Sequence, residues 1–91
     1  MKNISFLNDT QYKALVERAF QGTEIEIGEL IRKTTSFSRL EYLEKRLLSA
    51  IQNIENRFEK EKNNDVSDAL MLNKWYLNMV LKKKQNIMNT V

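Results

Sequence analysis

The 91-residue chain has no cysteine, no histidine and no proline, and its two glycines, Gly22 and Gly28, stand apart. Without cysteine there is no disulfide staple and no thiolate to hold a metal. Without histidine the commonest general base at neutral pH is missing, and with both absent so are the preferred ligands of zinc, copper and haem. Ser36, Ser38, Ser49 and Ser67 therefore have no base to activate them as nucleophiles. Two isolated glycines cannot form a phosphate-cradling loop. Glu24, Glu26 and Glu29 lie close together, but acids at the start of a helix are expected from capping and from the helix dipole. The expectation is a non-enzymatic protein with no metal and no cofactor.

Long hydrophobic runs are also missing. The most apolar stretch, Val66 to Leu81, is interrupted by Asp68, Asn73, Lys74 and Asn78, so it cannot span a bilayer. The apolar residues near Met1 form too short a run for a signal-peptide core. These features predict a cytoplasmic protein with no membrane span.

What remains favours helix. Proline and glycine are the strongest helix breakers, and Leu, Ile, Glu, Lys and Asn dominate the composition. A single helical domain over residues 1–91 fits the typical domain size. Asn8 and Gln11 have the spacing of a capping box, and Tyr12, Leu15, Val16, Ala19 and Phe20 follow as one helical stripe, so a first helix is predicted from about Asp9 to Phe20. Gln21-Gly22 ends it, glycine tolerating the left-handed cap position. Thr23 to Glu26 reads as a second capping box, opening a shorter helix with Ile27, Leu30 and Ile31. Gly28 inside that helix suggests either a close approach by another backbone or a weak helix. Ser38 to Glu41 reads as a third box, with Phe37 and Tyr42 placed as a hydrophobic staple. The long third helix then runs to about Lys62 with Leu40, Leu43, Leu47, Ala50, Ile51, Ile54 and Phe58 on one side. Asn63-Asn64-Asp65 is a turn, with Asp65 or Ser67 capping a fourth helix from about Ser67 to Asn89. The predicted fold is all-α, a small bundle of three to four helices with a C-terminal antiparallel hairpin.

The fourth helix is apolar on two faces. Ala69, Leu72, Tyr76, Met79, Val80 and Ile87 make one stripe; Leu70, Leu77, Leu81 and Met88 make another. A helix apolar on two sides is either central in its bundle or buries one side against another chain. Trp75 and Tyr76 are adjacent and point about 100° apart, so both cannot sit at the centre of one face. With Met71, Leu72 and Met79 around it, Trp75 is expected in the core. Tyr76 and the stripe of Leu70, Leu77, Leu81 and Met88 compete for the outer face, with Leu77 and Leu81 favoured, and that face is expected to meet a protein partner or a second copy.

Charge is unevenly spread. Residues 70–91 hold Lys74, Lys82, Lys83 and Lys84 and no acid, in a chain of net charge +3. This basic patch gives the alternative reading, a small nucleic-acid-binding helical module. Arg32, Lys33, Arg39, Lys45 and Arg46 are further candidates, but Glu41 and Glu44 interleave with those on the third helix and would repel phosphate. A solvated helix end is the simpler account of the lysines.

The segment Asp65-Val66-Ser67-Asp68-Ala69-Leu70-Met71-Leu72-Asn73-Lys74-Trp75-Tyr76-Leu77, within residues 40–88, resembles the C-terminal region of type III secretion inner-rod and needle subunits. The shared features are a polar turn, a Leu-rich start and an aromatic near the middle of the last helix. The chain differs in lacking a proline in the turn and in carrying the Lys82–Lys84 run. The resemblance implies a helical hairpin that polymerises through its last helix, and export through such a machine. A small inhibitor or immunity protein docking on a larger machine is the rival within the same class.

Overall fold

A computed structural model describes residues 4–61 and 63–89, with the side chain of Ser5 left aside. After a single 3-10 turn at Ile4–Phe6 come four helices: α1 (Asp9–Phe20), α2 (Ile27–Lys33), α3 (Phe37–Glu61) and α4 (Asn64–Asn89). No strand occurs among the described residues. Lys62, the expected end of the third helix, lies outside them.

Local chemistry explains most of the boundaries. Asn8 Oδ1 accepts from the Gln11 amide at 2.8 Å, and Gln11 Oε1 accepts from the Asn8 amide at 3.0 Å, so α1 starts on the expected reciprocal cap. It ends on Gly22 at φ 85°. The Thr23 amide reaches the Arg18 carbonyl at 2.9 Å and the Gly22 amide reaches Ala19 at 3.0 Å, the paired bonds of a Schellman motif.

The second and third expected caps do not form as read. Thr23 turns back, its hydroxyl donating to the Arg18 carbonyl at 3.0 Å, and Glu24 sits at φ 65°; α2 begins after Glu26 without a side-chain cap. Thr23 thus closes the preceding helix rather than opening the next. In α3 the Leu40 amide already bonds the Ser36 carbonyl, so Ser36 rather than Ser38 stands at the start and Phe37 is inside the helix. The expected Phe37–Tyr42 staple has no basis in that register. At the hairpin the cap is Asn63, whose Oδ1 accepts from the Val66 amide at 2.9 Å; α4 therefore starts three residues before Ser67.

Helices α3 and α4 pack along each other as an antiparallel hairpin, and α1 and α2 close over one end of it. Tyr12, Leu15, Val16 and Ala19 from α1, Leu30 and Ile31 from α2, Leu40, Leu43 and Leu47 from α3, and Tyr76 and Val80 from α4 form the main core. Ile51 and Val66 are buried outside that cluster, between the two long helices toward the hairpin tip. Polar contacts tie the pieces together. Arg39 donates to the Leu7 carbonyl at 2.5 Å and to Asp9, and covers the Tyr12 ring. Arg46 pairs with Glu17 at 2.8 Å and lies over Phe20. Buried Thr34 donates to the Leu30 carbonyl, so the Tyr12 hydroxyl, 2.8 Å away, must donate to Thr34.

Candidate protein-interaction face

Helix α4 carries every residue that the sequence offered as a protein-partner contact, and the structure distributes them in three ways. Tyr76 is core, 4% exposed, and Trp75 beside it is 54% exposed. This reverses the expectation for the two aromatics. Gly28 lies against the Tyr76 ring: a Cβ at that position would stand 3.3 Å from Tyr76 Cε1, so the missing side chain leaves room for the ring. The close approach expected at Gly28 is real, but it comes from an aromatic ring and not from another backbone. Burial raises the pKa of the Tyr76 phenol, and the negative charge of the nearby Glu26 carboxylate raises it further.

The second stripe splits. Leu70 and Leu77 are half-buried, Leu77 packing against the core, while Leu81 and Met88 remain exposed. Leu48 of α3 is also exposed. That side of the hairpin is bounded by ion pairs between its own helices, Lys74 with Glu55 at 3.7 Å and Lys84 with Glu44 at 2.6 Å.

A different face stands open. Met71 is 68% exposed and Leu72 45%, and with Trp75 they sit at spacings of three and four on one side of α4. Half-buried Met79 continues the face, Asp68 and Lys82 mark its two ends, and Asn78 lies between. The Trp75 ring rests 5.5 Å from the Tyr76 ring as a tilted aromatic pair. Leu72, expected with the core stripe, belongs to this outer face. Sequence reasoning missed it by treating Met71, Leu72 and Met79 as a shell around a buried Trp75. Met71 and Leu72 face outward with it, while Met79 packs partly against the core.

The lysines separate in the same way. Lys83 Nζ donates to the carbonyls of Ile31 at 2.9 Å, Arg32 at 2.8 Å and Thr34 at 2.6 Å, capping the C-terminal end of α2. Its burial lowers the ammonium pKa. Lys84 pairs with Glu44 and lies over the Phe37 ring. Two members of the expected basic patch are thus built into the fold. Arg32 and Lys33 pair with Glu29. Lys82 is exposed and makes no ion pair among the described residues. No group of three potential metal ligands and no helix long and apolar enough to cross a membrane occurs among the described residues.

No protein-family model, curated protein or solved structure matches the chain.

Proposed function

We propose that the chain is a non-enzymatic helical interaction protein whose contact element is α4. The observation that carries this reading is the exposure of Met71, Leu72 and Trp75 on a helix whose core side is already filled by Tyr76 and Val80. Large apolar side chains grouped on one exposed helix face mark an interaction surface, and Trp and Met are enriched at the centres of such surfaces. Leu81 and Met88 form a smaller second patch on the same helix. Tyr76 is left out, since its ring supports α2.

A rod- or needle-like subunit, which the resemblance of residues 40–88 implies, would associate through the last helix of its hairpin and so would use α4. An inhibitor docking on a larger machine would use the same face. A nucleic-acid-binding role has less support, since Lys83, Lys84, Arg39 and Arg46 are engaged within the fold.

The test is site-specific photo-crosslinking in the producing cell. A crosslinking side chain in place of Trp75 should capture a protein, and one in place of Asn53, exposed on α3, should not. Equal capture at both positions, or none at Trp75, overturns the reading.

A further inference from the structure

We propose that the occupant of the Trp75 face is a second copy of this chain, in an antiparallel α4–α4 pairing whose two-fold axis passes at Trp75. The proposal rests on the reading of α4 as the contact helix and adds the partner and the register. The face is self-complementary about its centre. Asp68 lies seven residues before Trp75 and Lys82 seven residues after it; Met71 and Met79 lie four residues to either side. At 1.5 Å per residue the two charges stand about 10 Å from the centre in opposite directions. A two-fold axis there sets residue numbers that sum to 150 at the same level. Asp68 of each copy then meets Lys82 of the other at both ends, and exposed Met71 lies at the level of the open edge of half-buried Met79 of the other, around the paired indoles. A parallel pairing would instead set Asp68 by Asp68 and Lys82 by Lys82.

Both charges are available for this role. Asp68 and Lys82 are exposed, and neither makes an ion pair among the described residues. The Leu81 side offers no such match, because the charges that bound it, Lys74 with Glu55 and Lys84 with Glu44, are already paired within the chain. One helix face from each copy is less than the roughly 1,200–2,000 Å² of a standard stable interface, so a dissociation constant of about 10–100 µM is expected.

Sedimentation equilibrium of the full chain from about 1 to 500 µM tests the proposal. The wild type should follow a monomer–dimer equilibrium. Asp68→Lys and Lys82→Glu should each weaken it about tenfold, because each turns both intermolecular pairs repulsive. The double variant Asp68→Lys/Lys82→Glu should return to within about threefold of wild type, since both pairs re-form with their signs exchanged. The chain has no cysteine, so Trp75→Cys gives a single thiol on the axis; it should form an intermolecular disulfide under mild oxidation, while Met88→Cys should not. A wild-type chain that stays monomeric, a dimer indifferent to the single reversals, or a double variant as weak as the singles overturns the pairing. Capture of a different protein from position 75 by a monomeric chain would overturn the pairing and leave the interaction reading standing. A monomer with no capture would overturn both.

Discussion

Replacing Lys83 with Met removes the ammonium group shared by three backbone carbonyls at the end of α2. Its stem keeps its length, so packing along α4 changes little, and the loss is concentrated in the hydrogen bonds to Ile31, Arg32 and Thr34. The Arg32 bond is exposed, and water replaces it at small cost. The Ile31 and Thr34 bonds are partly buried, and each is worth about 1 kcal/mol net. The charge at the C-terminal pole of α2 adds about 0.5 kcal/mol, and relief of the ammonium desolvation subtracts a comparable amount. The net loss is about 2 kcal/mol, a large share of the 5–14 kcal/mol or so expected for a domain of this size. Lys82→Met, on the exposed side of the same helix, should cost less than about 0.5 kcal/mol. Urea unfolding followed by far-UV circular dichroism compares the two, with a thermal midpoint for Lys83→Met lowered by about 10 °C as the companion signal. Equal stabilities for the two variants would refute the capping role of Lys83 and return it to the solvated face.

Burial pushes the Tyr12 phenol up to about 12, against an ordinary value near 10. The folded state therefore holds its proton more tightly than the unfolded state, so the Tyr12 contribution is fully present below pH 10 and is lost as the pH rises from 10 to 12. Urea midpoints for wild type should fall across that window, and Tyr12→Phe should fall less steeply while losing about 1 kcal/mol at pH 7 from the bond to Thr34. Gly28→Ala, which in an ordinary helix interior would stabilise by about 1 kcal/mol, should instead be neutral or destabilising, because its new methyl meets the buried Tyr76 ring at 3.3 Å. A clear rise in urea midpoint for that variant would show that the ring has room to give.

Helices were legible where one local signal had no competitor. Asn8 with Gln11, and Gly22 after Gln21, fix both ends of α1 because each cap satisfies backbone groups a few residues away. Thr23, Ser36 and Asn63 show where such reading stops. Each region offered several polar residues able to cap, and the choice among them depended on which register let the apolar stripe face its neighbour. The hairpin followed from the Leu40–Phe58 stripe and the polar turn at Asn63.

The face of α4 was the part least visible. Both sides of that helix are apolar, so periodicity marks two candidate faces without saying which one meets α1 and α2. The answer lies in packing far along the chain: Tyr76 is buried beside Gly28, nearly fifty residues away, and Trp75, about 100° round the helix, is left outward. The lysines were misjudged for the same reason. A positive run reads as surface until the carbonyls at the end of a distant helix are seen to converge on one of its members.

The measurement that bears most directly on the central claim is photo-crosslinking from position 75 in the producing cell, read beside the same probe at Asn53. The account predicts a discrete protein adduct from position 75 and none from Asn53, and the proposed pairing makes that adduct a dimer of the chain itself. Position 75 yielding no adduct while the variant stays folded, or yielding no more than Asn53 does, would contradict it: the exposed Met71–Trp75 face would then be bare surface.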